Sequence, residues 1–245
     1  GVPQIHEALQ GAVRLVLGAI GDDGRARIAP KGTLYPCQTA IAAAALCRNG
    51  FGDDSRTQAA LAYLLTDRYD DGGWRCKKFF YGRGPETEHS NPGVTLFALD
   101  AFRCVGWASG APNSAGIPVP DLDRAVETLL AHWRIRTPIG PCHYGMGTLF
   151  MQTEFPFLRY NLFFYVYVLS FYPHARKDPR FREALAALAA KLDGEGRMVV
   201  ERPSRKLREY SICREGLPSD AATVRYREIL ANMEKEEEGW DISIK

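Results

Sequence analysis

Two kinds of helical segment alternate along the chain. Segments 40–46 and 161–171 contain no charged residue, whereas segment 180–191 places Arg, Glu and Lys on one face of an amphipathic pattern. A helix that is apolar on all sides is buried, and a helix with one polar face lies at the surface. The pattern therefore predicts an all-α fold in which outer helices enclose inner helices. The predicted inner helices cover 40–46, 94–102, 162–171 and 221–230.

The boundaries of these segments carry residues that start or stop helices. Asp54 and Asp178 precede helical segments, where a side-chain oxygen accepts a hydrogen bond from an exposed amide group. Glycines follow Asp23, Asp71 and Asp193, and glycine takes the positive φ that ends a helix. Because the order of helix, turn, helix and Gly-rich turn recurs, the sequence predicts a repeat protein built from helix pairs.

The clearest copy of the repeat covers residues 36–76 and ends in Asp71-Gly72-Gly73-Trp74. A Gly-Gly-Trp turn after two helices resembles the repeat of the squalene cyclase and protein prenyltransferase superfamily, and in particular bacterial repeat proteins without an established reaction. The resemblance implies an α/α toroid of alternating inner and outer helices. It also implies that Gly72, Gly73 and Trp74 are structural. Because the helix pairs are fewer than in a complete toroid, we expect a short or incomplete ring.

Length and composition favour a single domain over residues 1–245. The chain is 46% hydrophobic, which is enough to bury one large core. Its net charge of +2 argues against a nucleic-acid partner. No apolar run is long enough for a transmembrane segment, and no signal peptide is evident. The six cysteines have no regular spacing and so predict a reducing compartment, from which we expect a cytoplasmic protein.

Cysteines and histidines near predicted helix starts are candidate zinc ligands. Zinc requires three or four such side chains at one point, and loops at one mouth of a toroid could bring them together. The candidates are Cys37, Cys76, His89, Cys142 and His143. The related protein prenyltransferases hold zinc with an Asp-x-Cys pair, which this sequence lacks. The pattern of the lanthionine cyclases, another toroid family, is matched only loosely by 74–76 and 142–145. A zinc-dependent transferase or cyclase is therefore one alternative function.

The acids needed for terpene cyclisation are missing from the sequence. Class II cyclases protonate an alkene with an Asp-x-Asp-Asp motif, and this chain contains neither that motif nor an Asp-Asp-x-x-Asp motif for a magnesium diphosphate. Asp53-Asp54 and Asp70-Asp71 fit helix-capping positions. The catalytic residues of any transferase or cyclase-like reaction are therefore unknown, and the sequence leaves open whether the chain is an enzyme.

Aromatic and basic residues are the candidates for ligand binding. In a toroid some inner-helix rings face a central cavity, which suits an isoprenoid or another apolar ligand, unless the rings fill the interior completely. Basic loop residues would meet an anionic head group. The candidates are Lys77, Arg83, Arg159, Tyr160, Phe80, Tyr144 and Phe164.

Three functions follow from these residues. The main prediction is a prenyltransferase-like or squalene cyclase-like toroid that binds an isoprenoid-like ligand with an anionic head, without class II cyclase chemistry. The alternatives are a non-catalytic scaffold that binds a protein partner and the zinc-dependent enzyme. A carbohydrate-active toroid would instead need paired carboxylates. The loop acids Glu86, Glu88, Glu154 and Glu209 could supply them, although their spacing is not specific.

Overall fold

A computed structural model describes residues 7–29, 31–76, 89–106, 121–139 and 144–240, with the side chains of 7, 8 and 235–240 left out of the description. Helices dominate these residues. They are α1 (Glu7–Ala19), α2 (Pro36–Arg48), α3 (Ser55–Thr66), α4 (Pro92–Cys104), α5 (Asp123–Ile135), α6 (Leu162–Leu169), α7 (Pro173–Arg176), α8 (Pro179–Ala189) and α9 (Asp220–Trp240). The strands described are β1 (Val199–Val200) and β2 (Leu217–Pro218), which pair antiparallel. The chain is therefore mainly α-helical, as predicted, and the toroid stays a prediction.

The chain divides into two compact units. Unit 1 comprises Gly1–Leu129 and Ile139–Tyr144, and unit 2 comprises Leu130–Pro138 and Gly145–Lys245. Helix α5 runs from unit 1 into unit 2. The prediction of one domain over 1–245 stays a prediction. In the part of the chain described, none of the helices combines the length and hydropathy needed to cross a membrane.

Unit 1 is built around the pair α2 and α4. Helix α2 packs against α1, α3 and α4. Its alanines, including Ala40, Ala43 and Ala44, are buried, and small side chains let neighbouring helices approach closely. Helix α4 is buried on nearly every side, as its apolar sequence predicts. Its one acid, Asp100, is 3% exposed and is neutralised by Arg103 at 2.7 Å and by Arg48.

Unit 2 is built around α6, whose eight residues are all buried. Helices α8 and α9 both pack against α6. Helix α8 is amphipathic, as predicted for an outer helix, because Phe181, Ala184 and Leu188 are buried and the intervening charged residues point outward. Helix α9 buries one face, and Val224 is 56% exposed on the other. The inner-layer prediction for 221–230 stays a prediction.

The Asp caps predicted from the sequence are present. Asp54 accepts a hydrogen bond from the amide of Arg56 at 2.9 Å, and Asp178 accepts one from the amide of Arg180 at 2.8 Å. Asn91 caps α4 in the same way. Each cap satisfies an amide that has no partner within its helix, a contribution worth about 1 kcal/mol.

Three Gly-rich turns share one backbone geometry. We call them turn 1 (21–26), turn 2 (69–74) and turn 3 (193–198). In each, the first residue donates its amide to the fifth residue's carbonyl, at 3.1, 2.8 and 2.9 Å respectively. The fourth residue is a glycine with φ of 76°, 94° and 74°, a region that other residues enter at a cost. These glycines are Gly24, Gly72 and Gly196.

A threonine joins each turn to the following helix. The sixth turn residue donates its amide to a buried threonine hydroxyl at the fourth position of that helix. The pairs are Ala26 to Thr39 at 3.0 Å, Trp74 to Thr95 at 3.1 Å and Met198 to Thr223 at 2.9 Å. A buried amide needs a partner, and the threonine supplies it without an extra strand or loop. Because the turn and its threonine occur three times, the chain contains an internal repeat.

Candidate functional site

Trp74 makes several buried contacts in unit 1. Its side chain is fully buried, the indole Nε1 donates to the carbonyl of Leu64 at 2.7 Å, and the ring lies 5.7 Å from that of Phe102. Its carbonyl accepts the amide of Asn91 at 2.8 Å. These contacts join the end of α3 to the start of α4.

The two glycines before Trp74 lie too close to their neighbours to carry a side chain. A Cβ on Gly72 would lie 2.4 Å from Cβ of Arg124 in α5. A Cβ on Gly73 would lie 2.7 Å from the hydroxyls of Ser90 and Thr95. The Gly-Gly pair is therefore required by close packing of the turn against α4 and α5.

Asp71 has structural partners. Its carboxylate accepts hydrogen bonds from the amide of Gly73 at 3.1 Å, the amide of Ser90 at 2.8 Å and the Ser90 hydroxyl. Asp54 is the cap of α3. Both carboxylates therefore accept hydrogen bonds from backbone amides, in keeping with the interpretation of the Asp pairs as capping residues.

Three of the five zinc candidates lie within the described residues. Cys37 is half-buried at the start of α2, Cys76 is buried just after turn 2, and His89 is exposed. Cys142 and His143 lie outside the described residues. Among the residues described, no three His, Cys, Asp or Glu side chains form a group that could hold a metal. A zinc site that includes residues 142 and 143 stays a prediction.

Burial raises the pKa of three described thiols. It raises the pKa of Cys47 to about 12 and also raises the pKa values of Cys104 and Cys213. The thiolate is the nucleophilic and metal-binding form of cysteine, and these side chains are protonated near neutral pH. They are poor candidates for covalent catalysis.

The ligand candidates of unit 1 lie mostly outside the description. Lys77, Phe80 and Arg83 belong to the residues that are not described. Tyr144 is half-buried, and a Cβ on Gly93 would lie 2.9 Å from its ring. The Tyr144 ring therefore covers the first turn of α4, at a position where only glycine fits.

The ligand candidates of unit 2 lie in a packed cluster of rings. Tyr160 is 7% exposed and Phe164 is 1% exposed. The ring of Tyr160 lies 4.9 Å from that of Phe150, and the ring of Phe164 lies 5.2 Å from that of Phe157. Aromatic rings at such separations contribute to stability beyond the area that they bury. These two candidates therefore fill the interior of unit 2.

Arg159 is held by a buried acid. Its guanidinium lies 2.8 Å from the carboxylate of Glu154, whose side chain is 3% exposed. Burial raises the pKa of Glu154, and the hydrogen bond and positive charge of Arg159 oppose that rise. An unpaired buried carboxylate is costly, so Glu154 retains Arg159 as its counter-ion.

A buried histidine beside Tyr160 was not found from the sequence. His132 Nε2 lies 3.0 Å from the carbonyl oxygen of Thr137, and Nδ1 lies 2.9 Å from the Tyr160 hydroxyl. A carbonyl only accepts, so Nε2 carries the proton and Nδ1 accepts from Tyr160. Burial lowers the pKa of His132 and raises that of Tyr160. The apolar spacing of Leu129, His132 and Trp133 in α5 was the available signal.

One open cavity lies beside turn 1. It has a volume of about 440 Å³ and lies between the end of α1 and the segment after turn 1. Its walls carry two acids and two arginines, and Asp23 pairs with Arg25 at 2.6 Å. Because the described residues of its walls include no aromatic ring, it does not suit the isoprenoid predicted from the sequence.

No family model matches the chain, and no curated protein matches it.

Proposed function

We propose that this chain is a helical-repeat scaffold that binds another protein through its helices and turns. The observation that carries the proposal is the burial of Tyr160 and Phe164 among other rings. A wall for an isoprenoid tail needs aromatic faces that are open to a cavity. These faces are in contact with one another instead, which favours the alternative in which rings fill the interior.

The pairing of Arg159 also supports the scaffold proposal. A diphosphate would have to compete with Glu154, whose carboxylate lies 2.8 Å away and is nearly inaccessible to water. Although the Arg159 side chain is 46% exposed, an anionic head group would compete with this buried carboxylate for its charge. Loss of the Arg159 contact would leave the burial cost of Glu154 less well compensated.

Titration calorimetry with farnesyl diphosphate and geranylgeranyl diphosphate tests this proposal against the isoprenoid hypothesis. For a scaffold we expect only heats of dilution with both ligands. The same titrations with Lys77→Ala and Arg159→Ala should be indistinguishable from those of the parent. Arg182, an exposed residue of α8, provides the matched control as Arg182→Ala.

A saturable heat with either diphosphate would contradict the scaffold proposal if Arg159→Ala or Lys77→Ala weakened binding by about tenfold while Arg182→Ala did not. Circular dichroism of each variant shows whether its helices are retained. Saturable binding that none of these variants changes would also overturn the proposal, and would place the ligand elsewhere in the protein.

A further inference from the structure

The loop that joins β1 to β2, residues 201–216, holds the whole net charge of the protein. Of the 31 Lys and Arg residues and 29 Asp and Glu residues in the chain, this loop contains five and three, which leaves 26 of each sign elsewhere. We call it the basic loop. Its basic residues are Arg202, Arg205, Lys206, Arg208 and Arg214. A surplus of charge confined to one loop indicates a surface for a partner of opposite charge.

One acid of the basic loop is neutralised from outside the loop. The Glu201 carboxylate lies 2.9 Å from Nζ of Lys191 and accepts the amide of Thr153 at 2.9 Å. With Glu201 paired in this way, the basic loop presents five cations against two acids, Glu209 and Glu215. Its effective surplus is therefore three positive charges.

The exposed cations of the basic loop are available for a ligand. Arg205, Lys206 and Arg214 are exposed, and they form no ion pair with any residue that the structure describes. Arg208 lies 3.4 Å from the carboxylate of its neighbour Glu209, and both side chains are mostly exposed. Because such an exposed pair contributes little to stability, Arg208 can exchange it for another carboxylate.

A series of tight turns holds the basic loop in a defined shape. The carbonyl of Ser204 accepts the amide of Leu207 at 2.9 Å, that of Leu207 accepts the amide of Tyr210 at 2.9 Å, and that of Tyr210 accepts the amide of Cys213 at 3.1 Å. The fully buried Cys213 thiol also donates to the carbonyl of Leu207. A loop that is ordered before it binds loses less entropy on binding.

The basic loop also exposes apolar side chains among its cations. Tyr210 is 61% exposed and Ile212 is 45% exposed, and both lie between Arg208 and Arg214 along the chain. Tyr and Arg are enriched among the residues that dominate the binding energy of protein interfaces. A guanidinium group binds a carboxylate through two parallel hydrogen bonds. The basic loop therefore combines carboxylate-binding groups with an apolar anchor.

The position of Glu209 favours a polypeptide partner. Its side chain is 85% exposed in the middle of the cations. The surface of an anionic membrane or of a nucleic acid is uniformly negative and would repel this carboxylate. A polypeptide can place a neutral or basic residue opposite it, so that both signs of charge are matched.

We propose that the basic loop binds an acidic segment of a partner protein, whose carboxylates pair with the exposed arginines while an apolar side chain packs against Tyr210. This inference rests on the proposed scaffold function and names the chemistry of the partner. Arginine clusters recognise acidic motifs in this way in other binding domains. Because the ion pairs form at the surface, the affinity decreases as salt is added.

Selection from a random-peptide display library on the immobilised protein tests the proposal. We expect the enriched peptides to carry several Asp or Glu residues beside an aliphatic or aromatic residue. The most enriched peptide is then labelled, and its affinity is measured by fluorescence anisotropy. This affinity should decrease at least about tenfold between about 0.05 M and about 0.5 M sodium chloride.

Two variants of the basic loop and one matched control assign the binding surface. Arg208→Glu and Tyr210→Ala change exposed side chains, so the fold should be retained, and each should weaken binding of the selected peptide by about tenfold or more. Arg182→Glu makes the same charge reversal at an exposed arginine of α8 and should bind like the parent. Circular dichroism of each variant shows whether its helices are retained.

A selection that enriches no acidic peptide would overturn the proposal. It would also be overturned if Arg208→Glu or Tyr210→Ala bound the peptide as tightly as the parent, or if Arg182→Glu weakened binding equally. Tighter binding to vesicles of phosphatidylserine and phosphatidylcholine, or to a single-stranded oligonucleotide, would instead assign the basic loop to a lipid surface or to a nucleic acid.

The outcome is separate from that of the calorimetry. If no acidic peptide binds and the diphosphates give only heats of dilution, the scaffold proposal stands and its partner uses another surface. A diphosphate that binds through Lys77 or Arg159 overturns the scaffold proposal without changing the peptide measurements.

Discussion

The two units use the same turn but fill their interiors differently. Unit 1 buries alanines of α2 and α4 and the indole of Trp74. Unit 2 places the aromatic helix α6 among further rings and also buries His132 and Glu154. The position of Trp74 in turn 2 is taken by Met198 in turn 3, and each donates its amide to a threonine. The backbone of the turn is thus the same whether its sixth residue is tryptophan or methionine.

The largest expected effect is the loss of stability when the sixth residue of turn 2 or of turn 3 is replaced by alanine. Trp74→Ala removes a fully buried ring and leaves the Leu64 carbonyl without its donor, so we expect a loss of about 3 to 5 kcal/mol in the free energy of unfolding. Met198→Ala should cost about 2 to 5 kcal/mol, toward the lower end because no side-chain hydrogen bond is lost. Urea unfolding of both variants measures the difference. A Trp74→Ala protein as stable as its parent would contradict the contacts of the indole.

The next largest effect is expected when the positive-φ glycine of the same two turns is replaced by alanine. Gly72→Ala combines a positive φ with a Cβ that would lie 2.4 Å from Arg124, and we expect a loss of about 2 to 5 kcal/mol. Gly196→Ala has the positive φ but free space, so its cost should be about 1 to 2 kcal/mol. Thermal unfolding of the pair separates backbone strain from packing. Equal costs would show that the cover over turn 2 contributes nothing to stability.

The smallest effect is a pH dependence confined to unit 2. Burial lowers the pKa of His132 from its ordinary 6.5, so the folded protein favours the neutral ring. Its contribution to stability is complete above pH 6.5 and is lost as the pH falls below that value, by up to about 1.4 kcal/mol per pH unit. When the pH is lowered from 7 to 5.5, protection against hydrogen exchange should decrease more in unit 2 than in unit 1.

Glu154 contributes the opposite sign. Its raised pKa means that ionisation of the folded carboxyl costs stability at neutral pH, and this cost decreases as the pH falls. His132→Gln isolates the histidine, because glutamine offers a donor and an acceptor but does not titrate. If His132→Gln retained the full pH dependence of unit 2, the buried histidine would not be its source.

The sequence predicts helices well where charge separates inner from outer segments. Segments 94–102 and 162–169 are apolar and buried, and the polar face of α8 is exposed. The burial of single residues is harder to predict, since α9 exposes the apolar residues Val224 and Leu230. Burial of a helix depends on the helices around it, and composition alone does not count those neighbours.

The candidate site was harder to predict than the fold. The pairing of Arg159 with Glu154 depends on how a loop folds, so a basic residue near an aromatic helix was interpreted as free for a ligand. His132 gives no signal of its role in the sequence, because its partner Tyr160 lies 28 residues away along the chain. The three anchoring threonines share a sequence position, since each is the fourth residue of a helix after a Gly-rich turn. Single threonines are common, and only the bond from the turn shows their role.

The bond between turn and threonine has a consequence for loop length. It spans 13 residues from Ala26 to Thr39, 21 from Trp74 to Thr95 and 25 from Met198 to Thr223, yet the distances differ by only 0.2 Å. The segment between its ends can therefore grow without moving the helix relative to the turn, because closing a longer loop costs little entropy. Exposed positions between a turn and its helix, such as Gly32 and Thr33 before α2, are accordingly places where new sequence, such as an epitope or a binding loop, can be inserted into this framework.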